Sequence, residues 1–228
     1  MSDLNVRLRP ILLAGVCLLA AGCGGSTPPV PASIPSDAPA SAEPAGTPEQ
    51  DIRRGPAKSD PVVVIKTTLG DIVVQLDAAQ APITADNFLV HYVDSGHYAG
   101  TIFHHVEQGF MVLGGGYTAD LKLKPARTPI SNEAHNGLAH RRGTIAMARQ
   151  ADVVHSADCQ FFFNLADNPS LDHKGRETAE DYGYCVFGQV VQGMEVLDAI
   201  AGVPVRDAEG FPRLPVTPVI VRSVERVR

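Results

Sequence analysis

Apolar and polar positions divide the chain into three stretches. Residues 11–21 are almost continuously apolar, residues 24–60 show no periodicity, and from residue 61 onward short patterned segments follow one another. In that last stretch, Val62-Val63-Val64-Ile65-Lys66-Thr67 is rich in β-branched residues and predicts a strand. Leu69-Gly70-Asp71 reads as a turn and Ile72-Val73-Val74-Gln75-Leu76 as the returning strand, so the folded part opens on a hairpin. Residues 82–95 predict a helix. Thr84 is its candidate N-cap, Phe88, Leu89, Tyr92 and Val93 recur at helical spacing, and Gly96 can close it in the left-handed conformation. Strand candidates follow at 101–105, 110–113, 143–148, 160–164 and 184–190, separated by Gly and Pro clusters. Residues 193–200 predict a second helix, with Met194, Val196, Leu197 and Ile200 apolar, and 218–227 a closing strand. Periodicity does not separate a barrel from a sandwich. Two helices among about eight short strands suggest a mainly β fold, a closed antiparallel barrel with capping helices.

The apolar stretch near the start changes the picture of location. Arg7 and Arg9 precede it, and it is too short to span a bilayer as a stable helix. Ala20-Ala21-Gly22-Cys23 then resembles the lipidation box of bacterial lipoproteins. Residues 1–22 are therefore expected to be a signal segment and Cys23 the lipidated residue. Residue 24 is Gly, not Asp, which points to an outer-membrane anchor facing the periplasm. Residues 24–60 are dominated by Pro, Ala, Ser and Gly and bury too little apolar surface to offset their ordering entropy. They are expected to be a disordered tether ahead of a folded domain over 61–228.

Formal net charge is −6 and no basic cluster appears, which argues against a nucleic-acid partner. With Cys17 leaving and Cys23 lipidated, only Cys159 and Cys185 remain in the domain, and they are expected to be free, buried thiols. His104 and His105 are adjacent on a predicted strand. Strand neighbours point to opposite faces, so no shared metal ion is expected, and the other histidines show no ligand spacing. The charged run 174–181 reads as a solvated loop.

The motif that carries chemistry is Phe103-His104-His105-Val106-Glu107-Gln108-Gly109-Phe110-Met111-Val112-Leu113-Gly114-Gly115-Gly116. Further ordered blocks are Asn132-Glu133-Ala134, Arg142-Gly143-Thr144-Ile145-Ala146-Met147-Ala148-Arg149, Gln160-Phe161-Phe162-Phe163-Asn164, Leu171-Asp172 and Val186-Phe187-Gly188-Gln189-Val190. Together they resemble the cyclophilins, the proline-bond isomerases, and within them the bacterial periplasmic branch. The resemblance covers roughly residues 61–228. It implies an eight-stranded antiparallel barrel capped by two helices, no cofactor and no metal. It also implies a monomer whose partners are proline-containing peptide segments, besides the membrane reached through the lipid anchor.

The resemblance also implies roles. Phe110, Met111, Phe162 and Leu171 match the pocket that grips the proline ring. Ala148 and Arg149 match the pair whose backbone lines the peptide groove, Gln160 the groove amide, and Tyr184 a position that is His in animal members. Two family side chains are replaced: His105 stands where the family has a catalytic Arg, and Leu113 where it has a substrate-holding Gln. His105, Phe110 and Gln160 are the expected catalytic residues, and Met111, Leu113, Ala148, Arg149, Phe162, Leu171 and Tyr184 the expected substrate contacts. Ser170 falls where an aromatic is usual, which thins one wall of the pocket. His lacks the planar fork of Arg and carries less charge near neutrality, so a weakened isomerase, or a binding or chaperone module on the same fold, is the alternative.

Overall fold

The computed structural model describes residues 60–227. The expected signal segment, Cys23 and the tether up to residue 59 lie outside the described residues. Within them the hairpin forms as the pattern predicts: β1 (Val62–Thr67) and β2 (Asp71–Leu76) pair antiparallel, with Ile65 opposite Ile72. Val63, Ile65, Ile72, Val74 and Leu76 alternate inward and are fully buried.

The remaining barrel strands are β3 (Thr101–Glu107), β4 (Met111–Thr118), β5 (Thr144–Met147), β6 (Phe161–Asn164), β7 (Val186–Gln192) and β10 (Val221–Arg226). They form one eight-stranded antiparallel sheet in the order β10-β1-β2-β7-β5-β6-β4-β3. Its two ends meet, because Ile102 bridges Ile220 and the Phe103 amide donates to the Val219 carbonyl at 3.1 Å. The sheet thus closes on itself as a barrel, which spares it long open edges. Phe161, Phe163, Phe103 and Phe187 fill it with Phe88 and Tyr98, several in edge-to-face contact such as Tyr98 on Phe161 at 5.2 Å. This geometry suits the ring quadrupoles.

Two helices bury their apolar stripes in this core. The first is α1 (Pro82–Asp86), continued by a wider turn over Asn87–Val93 in which Asp94 bonds back five residues to Leu89. Phe88, Leu89, Tyr92 and Val93 are its buried residues, as the spacing predicts, and Gly96 takes φ 68° beyond its end. Thr84 is not its N-cap. Ala81 holds that position, and the carboxylate of Glu133 accepts from the amides of Ile83 (3.1 Å) and Thr84 (2.8 Å) and from the Thr84 hydroxyl (2.7 Å). The cap comes from residue 133, beyond the reach of any local pattern. The second long helix is α3 (Met194–Ala201), with Leu197 and Ile200 buried. A single turn, α2 (Ala179–Tyr182), interrupts the charged run expected to be only loop; Thr178 caps it by accepting from the Asp181 amide at 3.0 Å. Cys159 and Cys185 are buried free thiols.

One element was not legible in the pattern. β8 (Val205–Ala208) and β9 (Phe211–Pro215) form a separate hairpin outside the barrel. Its segment contains Pro212 and Pro215, and no element is expected there from the sequence. An isolated two-stranded ribbon tolerates proline because half its amides need no ladder partner. Phe211 anchors it, edge-on to Tyr117 at 4.9 Å and to His104 at 6.2 Å.

Candidate functional site

One rung of the sheet organises the site. Read across β3, β4, β6, β5 and β7, the paired residues are His105, Leu113, Phe162, Ala146 and Val186. Their neighbours along the strands, Val106, Val112, Phe161, Phe163 and Ile145, face the barrel core. The rung therefore lies on the outer wall. Met111, Leu113, Ala146, Phe162 and Val186 form an apolar cluster there, separate from the barrel core, against which Phe110, Leu138, Ala148, Leu171 and Tyr184 pack. All seven apolar or aromatic residues expected to touch substrate or shape its pocket meet in this cluster: Phe110, Met111, Leu113, Ala148, Phe162, Leu171 and Tyr184. Leu138, Ala146 and Val186 join it without having been expected as contacts. A cleft of about 440 Å³ borders it and shares Leu138 and Val186.

The cluster rests on a polar network that the sequence did not reveal. His140 stacks flat under Phe162, at 5.7 Å and 6°. Its Nδ1 accepts from the Asn164 amide nitrogen and its Nε2 donates to the Tyr184 carbonyl, both at 3.1 Å. These partners require the neutral ring, and burial pushes its pKa down. Asn164 Oδ1 accepts from Asn168, which also donates to the Phe110 carbonyl at 3.0 Å. The Leu171 amide donates to Asn168, and the Tyr184 amide to Leu171. His140, Asn164 and Asn168 thus fix three walls of the pocket at once. Asn164, at the end of the predicted Gln160–Asn164 block, was the available signal. His140 appeared only as an isolated histidine. Ser170 is exposed on the single turn Pro169–Leu171.

Arg149 is buried, and its guanidinium is consumed by backbone: it donates to the carbonyls of Gly183, Gln150, Ala151 and Ala179 while covering the Tyr184 ring at 4.4 Å. It ties the loop at Gln150 and Ala151 to α2 and its C-cap. Gln160 lies across β4 because residue 116 is Gly; a Cβ there would stand 2.7 Å from the Gln160 amide carbon. Its Oε1 is enclosed and without a hydrogen-bond partner.

His105 sits at the end of the rung, 8% exposed. Its Nδ1 lies 2.9 Å from the carbonyl oxygen of Pro212, so that nitrogen carries the proton and donates to the β8–β9 hairpin. Its Nε2 is enclosed without a hydrogen-bond partner, 3.8 Å from Glu107 Oε2. The reason for expecting His104 and His105 on opposite faces also fails. The β3 register slips between Phe103 and His105, and both flanking apolar residues, Phe103 and Val106, point inward. Both imidazoles therefore lie outside, under the hairpin. Among the described residues, no group of three His, Cys, Asp or Glu side chains is placed to hold a metal ion.

Cluster and rim together describe an antiparallel barrel with an apolar patch on its outer wall. The comparisons give the family. Residues 62–226 match the family of cyclophilin type peptidyl-prolyl cis-trans isomerases. The peptidyl-prolyl cis-trans isomerase cyp18 of Streptomyces antibioticus is 48% identical over 163 residues, 72% of this chain and 96% of that protein. Peptidyl-prolyl cis-trans isomerase B of Escherichia coli (strain K12) is 45% identical over 72% of this chain and 98% of its own length. A crystal structure of a cyclophilin type isomerase from Cryptosporidium parvum superposes with a TM-score of 0.61 at 25% identity, over 74% of this chain and 98% of that one. The chain belongs to the cyclophilin-type peptidyl-prolyl cis-trans isomerases, an enzyme family.

Proposed function

We propose that the protein isomerises X-Pro bonds in proteins of the bacterial cell envelope and so assists their folding, held at the outer membrane by lipid on Cys23. The observation that carries the catalytic part is the outer-wall cluster of Phe110, Met111, Phe162 and Leu171, walled by Tyr184 and braced by His140. It is apolar, lies on the outer wall of the barrel and is held in place by the residues beneath it. The location rests on Arg7 and Arg9, the apolar stretch after them and the Cys23 box.

The reaction needs no nucleophile. An X-Pro bond rotates over a barrier of about 18–20 kcal/mol because the twisted amide loses its resonance. A catalyst must bind that twisted form better than either planar isomer. Gripping the proline ring while the preceding carbonyl swings achieves this, and a donor near the proline nitrogen adds to it, since that nitrogen regains its lone pair as resonance is lost. The test is a protease-coupled isomerisation assay on the full chain with an Ala-X-Pro peptide. Turnover well above the uncatalysed rate is expected, and a rate equal to the uncatalysed one would overturn the reading.

A second reading, a binding or chaperone module, is favoured by one observation. Leu113 has no polar group, and the His105 donor is taken by Pro212. On that reading, proline peptides bind in the groove and the isomerisation rate does not change.

A further inference from the structure

The rim of the groove lacks a donor at residues 105 and 113, yet a guanidinium stands beside it from another element. Glu107 pairs with Met111 on the outer face, two rungs along from His105 and Leu113. Its carboxylate has Arg213 Nη2 3.6 Å from one oxygen and His105 Nε2 3.8 Å from the other. Neither distance is a hydrogen bond. Among the described residues the Arg213 side chain makes no hydrogen bond, so its five N–H groups remain available, and it is about half exposed at 49%. The other cations near the groove and strand β4 are occupied. Arg149 is tied to four carbonyls, and Lys124 to those of His97 and Ala99.

The hairpin holds Arg213 there at a cost. Its φ is 54°, a left-handed conformation that an ordinary side chain adopts only against strain. The Arg213 amide donates to Asp207 at 2.9 Å, and the preceding residue, Pro212, is latched by His105. Two side chains, one on each side of the backbone bend, thus fix the base of an arginine whose guanidinium stands 3.6 Å from Glu107, beside Met111 on the outer wall.

We infer that Arg213 is a catalytic residue of this groove: its guanidinium donates to the proline nitrogen of the twisted amide, and His105 positions it by seating the hairpin. A guanidinium stays charged throughout the working pH range, and its several donors tolerate the movement of the nitrogen during rotation. Glu107 keeps the group over the Met111 side of the pocket without consuming its donors. The inference rests on the isomerase reading and assigns the donor within it.

The experiment compares the full-length wild type with Arg213→Gly and Arg213→Asn. Both replacements accept a positive φ, so the hairpin keeps its shape and only the guanidinium is lost. Each variant is expected to lose about ten- to a hundredfold in kcat/KM, the worth of one charge-assisted hydrogen bond. Affinity for a proline peptide, measured by calorimetry, should change by less than about threefold, because the apolar pocket is untouched. Wild-type turnover together with undiminished kcat/KM in both variants would overturn the assignment. So would equal losses of rate and affinity, which would make Arg213 a simple binding contact. An inactive wild type would instead sink the isomerase reading itself.

Discussion

His104 shows how one buried ring couples the site to pH. It is 5% exposed, packed between Tyr117 and Phe211, and its Nδ1 has no hydrogen-bond partner. Burial, with some help from neighbouring His105, lowers its pKa from the ordinary 6.5 to about 4. The folded state therefore resists protonation while the unfolded chain accepts a proton near pH 6.5. Above that pH neither state is protonated and the ring adds no pH dependence. As pH falls from about 6.5 to about 4, the unfolded state gains the proton and stability is lost, by on the order of 3 kcal/mol. Burial also lowers the pKa of His140, which adds to the same trend. Urea unfolding at stepped pH should show this decline, and His104→Phe should flatten most of it. An unchanged slope in that variant would mean that other groups carry the acid sensitivity. The hairpin, and with it Arg213, should loosen in the same window, because its anchor Phe211 packs on this ring.

At the scale of elements, the start of α1 depends on a distant carboxylate. Glu133 satisfies the Ile83 and Thr84 amides and the Thr84 hydroxyl while itself buried. Glu133→Ala strands those donors and should cost about 2–3 kcal/mol. For a domain of this size that lowers Tm by roughly 5–10 °C in calorimetry. A shift under about 2 °C would show that water replaces the cap at no cost. The same lesson applies to the β8–β9 hairpin. No pattern singled it out in the sequence, and it exists because Phe211 and Pro212 find Tyr117, His104 and His105 on the barrel wall.

For the whole molecule, the barrel closes on its own between Val62 and Arg226, the ends of β1 and β10. Among the described residues the core is filled by side chains of the barrel and its helices, so the anchoring proposal is tested apart from the fold. Cys23→Ser should leave isomerase turnover intact, abolish lipid labelling and move the protein from the membrane to the soluble fraction. A mutant still found with membranes would refute the anchor. With lipid attached, each buried CH₂ adds about 0.8 kcal/mol, so several acyl chains hold firmly where one would not.

Sequence alone determined the hairpin start and the two capping helices, the barrel through the family resemblance, and the apolar residues that meet on the outer wall. Those follow from periods of two and 3.6, from glycines at turns, and from a long ordered motif around Phe103–Gly116. It named Phe110, Met111, Phe162 and Leu171 because each sits in a block whose order is fixed along the chain. Only the tertiary structure decided the polar chemistry. Whether an imidazole faces a groove or a carbonyl depends on what packs over it, and Pro212 lies 107 residues from His105. A register slip in β3 put His104 and His105 on one face against the alternation rule. The Glu133 cap, the His140–Asn164–Asn168 brace and the Arg213 guanidinium likewise join residues far apart in sequence. Apolar burial repeats along a chain and can be read there, whereas a hydrogen bond needs two particular atoms brought together, and only the closed fold does that.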